Sequence, residues 1–334
     1  MSNKDLVYRA INSSETDRVP FYLMLRAEVE QEVEDELGVE DVNAAIGSSL
    51  EIINTGFSDS LMDKIAENEY RDRFGVYHSS AGVGDSASPI QNPLNEVDDL
   101  SKLQFPDPAE GKLFEGLSSL SSERFSLAVK YCGLFERAWF LRGMENLMMD
   151  FYRNPEFVKE LLDRIMEYNL GIIDEILEYP VDGIMLGDDW GGMDNLLMGP
   201  EIWDQFIKPR ARQLYRKVNE SGLQLFVHSC GNIKELLPDL IEMGVDVINP
   251  VQVLAMNPLE IKQKYGDQVA LFGGVSTQGV LPHGEPEEVK SAVRDAVNSL
   301  SQGGGFILAP DQELQMDVPM ENILAFIEAA QEFE

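Results

Sequence analysis

The chain has 334 residues, of which 44% are hydrophobic, and a formal net charge of −33 at pH 7. An excess of negative charge repels phosphate, which argues against nucleic acid or an anionic membrane surface as the partner. No apolar run approaches the roughly 18 residues of a membrane span, residues 1–7 lack the pattern of a signal peptide, and two distant cysteines favour the reducing cytoplasm.

Hydrophobic periodicity predicts an alternation of strands and helices along most of the chain. The predicted strands cover residues 19–24, 50–54, 125–130, 181–186, 223–227, 245–249, 269–272 and 305–309. The predicted helices cover residues 4–11, 28–37, a second short helix from 41, 111–120, 136–152, 156–177, 200–220, 233–243, 258–265, 286–300 and 320–333. Residues 59–108, with a Gly/Ser-rich stretch at 79–88, break the rhythm and predict an inserted loop region that folds over one end of the protein.

Alternating strands and helices imply parallel pairing with right-handed crossovers. About eight strands, each apolar on both faces, favour an α/β fold of the (β/α)8 TIM-barrel class, formed by residues 1–334 as a single domain. A doubly wound open sheet is the alternative. The barrel is preferred because no Gly-x-Gly-x-x-Gly sequence follows the first strand and because polar residues follow nearly every strand.

In a barrel, catalytic residues gather at the carboxyl ends of the strands. His228 and Cys230 follow the strand at 223–227. The chain contains only three histidines and two cysteines, so this pairing uses scarce residue types. An imidazole and a thiolate are both good zinc ligands, and a catalytic zinc takes about three protein ligands. Glu313 is the preferred third ligand. The other candidates are Asp311, Gln312, Cys132 and Asp188.

The same residues have plainer interpretations. His228 and Cys230 would also suit a core histidine beside an inert thiol. Asp188 and Asp189 could act as a base or orient the imidazole, or else serve as a helix cap and a solvated side chain. The expected substrate contacts, for which packing or surface ion pairs are the alternative, are Arg26, Tyr131, Trp190, Gln252 and Gln312. His78 and His283 are expected to be surface residues.

Several motifs, spread over essentially the whole chain, resemble the uroporphyrinogen decarboxylase superfamily. They are Thr16-Asp-Arg-Val-Pro20, Gly143-Met-Glu-Asn-Leu147, Phe226-Val-His-Ser-Cys-Gly231, Gly244-Val-Asp-Val-Ile-Asn-Pro250, Phe272-Gly-Gly274, Gly303-Gly-Gly-Phe-Ile-Leu-Ala-Pro310 and Val318-Pro-Met-Glu-Asn-Ile323. The resemblance implies a (β/α)8 barrel with its site at the mouth.

The decarboxylase branch of that superfamily carries an Arg-Gln-Ala-Gly-Arg stretch after the first strand, which binds the carboxylates of a tetrapyrrole. Here the corresponding residues are Leu25-Arg26-Ala27-Glu28, and the acid would repel such a substrate. The histidine that decarboxylases carry after the last strand is also absent. Tetrapyrrole decarboxylation is therefore not expected, although a related decarboxylase and a metal-free binding barrel remain the alternatives.

The other branch resembles zinc-dependent methyltransferases, which exchange a methyl group with the corrinoid (cobalamin) of a separate protein. Their zinc is held by a His-x-Cys pair, matched by His228 and Cys230, and by a third ligand after the last strand. In coenzyme M methyltransferases that ligand is a cysteine, which aligns with Gln312. Because Gln312 stands in place of that cysteine, the third ligand would be Glu313 or Asp311. The zinc site would then be rich in oxygen, which suits a methoxylated compound better than a thiol.

Overall fold

The computed structural model describes residues 1–55, 62–79, 88–96 and 99–333. Seven parallel strands form one curved sheet. They are β1 (Leu50–Asn54), β6 (Phe125–Lys130), β7 (Gly183–Gly187), β8 (Gln224–His228), β9 (Val247–Val251), β10 (Ala270–Val275) and β11 (Phe306–Pro310). Their order in the sheet follows the chain, as in a barrel with a helical crossover after each strand.

Residues 20–25 occupy the eighth position and close the sheet. The N–H of Tyr22 donates to the carbonyl of Leu308 in β11 at 3.0 Å, and the N–H of Ser49, just before β1, donates to the carbonyl of Phe21 at 2.9 Å. This segment forms only isolated parallel bridges, at Phe21 and Leu25, instead of the full strand predicted at 19–24. The predicted TIM-barrel fold is nevertheless confirmed.

The helices surround this sheet. They are α1 (Asn3–Ile11), α2 (Ala27–Leu37), α3 (Val42–Ala45), α4 (Phe135–Arg142), α5 (Met144–Arg153), α6 (Pro155–Ile176), α7 (Pro200–Ile202), α8 (Lys208–Ser221), α9 (Leu237–Glu242), α10 (Pro258–Tyr265), α11 (Val280–His283), α12 (Pro286–Leu300) and α13 (Met320–Gln331). A π-helical turn, Trp203–Ile207, joins α7 to α8, and Gly111–Ser119 is a 3₁₀ helix. Within the described residues, no helix combines the length and apolar character needed to cross a membrane.

The single helix predicted at 136–152 was wrong, because Gly143 divides it into α4 and α5. Gly143 has a φ of 84°, a left-handed conformation that ends a right-handed helix and that glycine adopts without strain. A Cβ at this position would lie 3.3 Å from Oδ1 of Asn92, so the site is also crowded. The break turns the chain while both halves remain packed against α6.

Two apolar layers lie on either side of the strands. The inner layer fills the barrel with alternate strand residues such as Phe125, Phe226 and Phe272. Helix α1 closes the amino-terminal end, where the ring of Tyr8 meets Phe125 with centroids 5.1 Å apart. Because strand side chains alternate, His228 points into the barrel like Phe226, two residues earlier in the same strand.

The insertion after β1 is more ordered than the loop region that was predicted. It contains an antiparallel sheet of β2 (Asp63–Ala66), β3 (Glu69–Arg71), β4 (Tyr77–Ser79) and β5 (Ser88–Gln91). The predicted Gly/Ser-rich loop at 79–88 falls mostly outside the described residues. Strands of three or four residues with mostly exposed side chains give no alternation of apolar and polar residues from which to predict them.

A buried ion pair anchors the insertion to α4. Asp72 accepts from Nη1 of Arg137 at 2.5 Å, and its other oxygen accepts from the N–H groups of Phe74 and Val76, each at 2.9 Å. His78, which was expected at the surface, is fully buried, with its Nε2 3.4 Å from Asp72. That expectation was wrong because β4 packs against α4, where His78 meets the ring of Phe140.

Candidate metal centre

Three potential metal ligands meet at the barrel mouth: Asp189, His228 and Cys230. Their donor atoms all lie within 4.8 Å of one another, in the one such cluster that the described residues contain. Nε2 of His228 lies 3.7 Å from Sγ of Cys230 and 3.8 Å from Oδ1 of Asp189. Two ligands at 2.0–2.3 Å from a tetrahedral zinc are separated by about 3.5 Å, so these distances suit one shared ion.

The imidazole of His228 is held in an orientation that would suit a metal ligand. Its Nδ1 lies 2.6 Å from Oδ1 of Asn249, its register partner on β9, and an amide oxygen can only accept. The amide of Asn249 is fixed in turn, since its Nδ2 donates to the carbonyl of Phe272 at 3.5 Å. The proton therefore sits on Nδ1, which leaves the lone pair of Nε2 directed at Cys230 and Asp189.

Cys230 is surrounded by groups that oppose its ionisation. Burial, followed by the negative charges of Asp189 and Glu136, raises the pKa of its thiol well above the ordinary value. The Cys230 N–H donates to Oδ1 of Asp189 at 2.7 Å, which holds this carboxylate close to the thiol. Nε2 of Gln312 donates to the sulfur at 3.0 Å, a contact that favours the thiolate and acts in the opposite direction. A divalent cation would reverse the preference for the neutral thiol, because it neutralises the carboxylates and binds the thiolate.

The electrostatics of the surroundings also fit a cation. Glu136, at the start of α4, has a pKa raised well above its ordinary value by burial and by the charges of Asp189 and Asp188. Several acids thus crowd together with Cys230, and none of the described ion pairs places a lysine or arginine on Asp189 or Glu136. One imidazole nitrogen, one sulfur and one carboxylate oxygen are ligands that zinc accepts, with a fourth position left for substrate.

The carboxylate beside the histidine and cysteine is Asp189, and Glu313 is not a member of the cluster. Glu313 is exposed on the loop after β11, and the preceding Gln312 extends its side chain over Cys230 instead. Of the other candidates, Asp311 is buried and accepts from the N–H and hydroxyl of Thr277 at 2.8 and 2.7 Å. Cys132 is buried, and burial raises the pKa of its thiol.

Asp188 and Trp190 are not members of the cluster, and they tie β7 to α4. The Asp188 carboxylate caps α4, accepting from the N–H groups of Leu134, Phe135 and Glu136 at 2.8–3.0 Å, and from Nε1 of Trp190 at 2.8 Å. Burial raises its pKa to about 6, an effect that these four donors oppose. Trp190 is 2% exposed and packs on Trp203, so its ring is not available for stacking on a ligand.

The remaining predicted residues lie around the mouth. The ring of Tyr131 meets His228 edge-on, with centroids 5.2 Å apart. Oε1 of Gln252 accepts from the N–H of Gly231 at 2.6 Å, which ties the loop after β9 to that after β8. Arg26 precedes α2 and pairs with Glu28 at 3.2 Å, as in the surface ion pair that was the alternative to substrate binding.

Two residues of this centre were not predicted. Glu136 was predicted only as the first residue of a helix. A carboxylate one turn beyond a strand end is nevertheless a recognisable signal of a residue at the barrel mouth. Asn249 was noted at a strand end without a role. Its partnership with His228 depends on the register of two neighbouring strands, which residue patterns in one sequence do not reveal.

Backbone crowding at Gly231 leads to a testable prediction. Gly231 has a φ of +77°, and a Cβ there would lie 2.3 Å from the carbonyl carbon of Gly191. We expect Gly231→Ala to separate the loops that carry Asp189 and Cys230, and so to lower both zinc affinity and thermal stability. Gly38→Ala is the control, because Gly38 has a φ of +68° with nothing within 4 Å, so that only the conformational cost of about 1–2 kcal/mol applies. Equal effects of the two substitutions in thermal unfolding and zinc titration would contradict the prediction.

Sequence and structure comparisons place these features among known proteins. A uroporphyrinogen decarboxylase of Coxiella burnetii is 24% identical over 260 residues, covering 73% of this chain and 69% of that protein. The methylcobamide:CoM methyltransferase MtaA of Methanosarcina barkeri is 24% identical over 193 residues, covering 58% of this chain and 54% of that protein. A solved structure of a methyltransferase from Methanosarcina mazei shares the fold, with a TM-score of 0.76 at 19% identity, covering 100% of this chain and 99% of that one. Residues 81–333 match the family described as uroporphyrinogen decarboxylase (URO-D), and the chain belongs to that family.

Proposed function

We propose that the chain is a zinc-dependent methyltransferase that moves a methyl group between a small methylated substrate and the cobalt of a corrinoid protein. The observation that carries this proposal is the cluster of Asp189, His228 and Cys230 at the mouth of the barrel. The similarity to a methylcobamide:CoM methyltransferase supports the same reaction class. We favour a methoxylated compound as the methyl donor, with a thiol as the second possibility.

The donor set favours an oxygen substrate. A carboxylate oxygen beside one nitrogen and one sulfur makes a harder site than one with two sulfurs, and harder sites prefer oxygen. Zinc, when bound, supplies a Lewis acid that stabilises negative charge on the substrate heteroatom. The hydrogen bond from Gln312 to the sulfur of Cys230 draws electron density from that ligand and strengthens this effect.

The residues of the chain supply binding and orientation. His228, Cys230 and Asp189 would hold the metal on one side of the mouth, and Asn249 keeps the imidazole lone pair directed at it. Tyr131 stands edge-on to the imidazole and restricts the ring's movement. For a methyl ether, the electron pair of Co(I) would form the bond to the methyl carbon as the C–O bond breaks. The oxygen would leave with its own electron pair, as an anion that zinc would stabilise before it takes up a proton. The oxygen, the methyl carbon and the cobalt have to lie in line, and the fixed side chains would provide this orientation effect.

The decarboxylase alternative draws support from the 24% identity to uroporphyrinogen decarboxylases. The charges at the mouth oppose it. Asp189, Glu136 and Glu313 are all acidic, and Arg26 is paired with Glu28. A substrate with several carboxylates would meet repulsion here without a described cluster of cations to offset it.

A collar of exposed apolar side chains surrounds the mouth and suits the docking of a corrin ring. Met193 and Leu197 follow β7, Leu254 follows β9 and Met316 follows β11; all four are 45–56% exposed. The loops at 188–199, 252–257 and 311–319 contain no lysine or arginine. The collar therefore offers apolar contact without positive charge, next to the residues that would hold zinc.

The collar can be tested with free cob(I)alamin as the methyl acceptor. We expect Leu254→Glu and Met316→Glu each to raise the KM for cob(I)alamin about tenfold, the effect of losing about 1.4 kcal/mol of contact at a binding hot spot. Zinc content should stay at the wild-type level. Leu37→Glu, on an exposed apolar residue of α2, is the control and should leave the KM unchanged. An unchanged KM in both collar variants would contradict this role.

The proposed function itself is tested with zinc-loaded protein, cob(I)alamin and a panel of methyl ethers and methyl thioethers. Formation of methylcobalamin, followed by its visible absorbance, is the expected result, with the ethers reacting faster. Loss of the reaction in Cys230→Ser, and its retention in Cys132→Ser, would tie it to the centre. Carbon dioxide release from tetrapyrrole acids without methyl transfer would instead establish the decarboxylase alternative.

A further inference from the structure

A lysine is buried at the carboxyl end of β6, directly before Tyr131, whose ring contacts His228. Lys130 is 3% exposed, and its Nζ donates to the carbonyl oxygens of Tyr131 and of Cys132, the latter at 3.0 Å. Within the described residues, no carboxylate forms an ion pair with it. A buried cation that is matched only by two carbonyls costs stability, so its position calls for a function.

The two carbonyls belong to a strained turn. Cys132 has a φ of +56°, a left-handed conformation that costs about 1–2 kcal/mol in a residue other than glycine. The next residue, Gly133, passes so close to β7 that a Cβ would lie 2.8 Å from Cβ of Asp188. Its N–H donates to the carbonyl of Gly187 at 2.8 Å. Lys130 thus binds successive carbonyls of a backbone that has little room to relax.

Both sides of the candidate metal centre depend on this turn. At its start, Tyr131 places its ring edge-on to His228. Just past its end, the N–H groups of residues 134–136 bind the carboxylate of Asp188 and so fix the chain next to Asp189. A shift of the turn would therefore change the separation of the imidazole from the carboxylate.

We propose that Lys130 is a positioning residue for the metal centre, which fixes the turn at residues 131–133 so that His228 and Asp189 stay at metal-binding separation. The proposal rests on the metal centre of the proposed function. It predicts that replacing Lys130 lowers the metal affinity by more than a loss of stability alone would. The effect is indirect, since Lys130 contacts none of the three ligands and acts through Tyr131 and Asp188.

The chain contains a matched control at the opposite end of the barrel. Nζ of Lys262 likewise donates to a backbone carbonyl, that of Gly304, just before β11. Burial lowers the pKa of both lysines, to about 8 for Lys130. The two lysines therefore share a kind of contact, although Lys262 is only partly buried, and they differ in their distance along the barrel from the mouth.

The test compares Lys130→Met and Lys262→Met by thermal unfolding, by zinc affinity in competition with a chromophoric chelator, and by the visible spectrum of the Co²⁺-substituted protein. We expect both variants to change in stability. Lys130→Met should bind zinc about 10–100-fold more weakly, the usual effect of removing support for a ligand, and should alter the Co²⁺ spectrum. Lys262→Met should match wild type in both metal measurements. A folded Lys130→Met with wild-type affinity and spectrum would overturn the proposal.

A second variant covers the case in which Lys130→Met does not fold. Tyr131→Leu removes the ring between the turn and His228 while Lys130 and the backbone contacts remain. The same weakening of zinc binding is expected, and wild-type affinity in folded Tyr131→Leu would overturn the proposal. Wild-type protein that binds neither zinc nor Co²⁺ would refute the proposed function instead, so the two failures are distinguishable.

Discussion

Zinc affinity is expected to fall more than about a hundredfold when His228 is replaced by alanine, beyond the usual effect of changing a group that only supports a ligand. The substitution removes the neutral donor of the cluster and leaves Asp189 beside a thiol whose ionisation it opposes. Metal analysis of purified protein and competition with a chelator measure the effect. His283→Ala, at an exposed histidine, is the control. Wild-type metal content in His228→Ala would refute the metal centre.

The same measurement decides the third ligand. Asp189→Asn should weaken zinc binding strongly, whereas Glu313→Gln should leave it near the wild-type value, because only Asp189 lies beside His228 and Cys230. Both substitutions keep the size of the side chain and remove one negative charge, so long-range electrostatic effects are matched. The opposite result would restore Glu313 as the ligand, as predicted from the sequence.

The largest stability effect is expected at the ion pair between the insertion and α4. Asp72→Asn keeps the shape of the side chain and leaves the guanidinium of Arg137, 3% exposed, without its counter-charge. Breaking such a buried pair costs about 3–5 kcal/mol, which urea denaturation would measure. Asp204→Asn is the control, since Asp204 is 62% exposed in its pair with Lys208, and exposed pairs contribute about 0–1 kcal/mol.

The same carboxylate predicts a dependence on acid. Burial alone would raise the pKa of Asp72, but the imidazole of His78, whose Nε2 lies 3.4 Å from the carboxylate, and the charge of Arg137 lower it to about 2. Because the pKa is lower in the folded state, the stability that Asp72 contributes is fully present above the ordinary value of 3.8 and is lost as the pH falls toward 2. The stability difference between wild type and Asp72→Asn should therefore shrink between pH 4 and pH 2. A constant difference over that range would contradict the assignment.

Most of the barrel could be predicted because its strands are apolar on both faces. The bounds of β1 and β6 match the predicted strands, while β8 and β9 end one or two residues later than predicted. The apolar pattern stops where the buried interior stops, but backbone pairing continues into the polar residues of the mouth. His228 therefore belongs to β8 itself and pairs with Asn249 across the sheet.

Sequence position alone could not choose between the two candidate carboxylates, Asp189 and Glu313, for a geometric reason. Asp189 and Glu313 both follow strand ends by two or three residues, so their positions in the sequence do not favour either one as the metal ligand. Asp189 follows β7, which is the direct neighbour of β8 in the sheet. Glu313 follows β11, which lies three strands away from β8. The path of each loop decides which carboxylate reaches the centre. Sequence patterns also missed the small sheet and the burial of His78, which arise from contacts between distant segments.

The position of α1 has a kinetic consequence for a reaction with two substrates. Val7 and Ile11 pack into the amino-terminal end of the barrel, and the interior behind the centre is filled by apolar side chains, among them Phe125, Phe226 and Phe272. Among the described residues, the carboxyl end of the barrel is the end that α1 leaves uncovered, and a docked corrin ring would cover it. In the proposed reaction, the small substrate would therefore have to bind first, and its demethylated product would have to wait until the corrinoid departs. Initial-rate kinetics should then show a compulsory order, with the small product competing against its parent compound and not against the corrinoid.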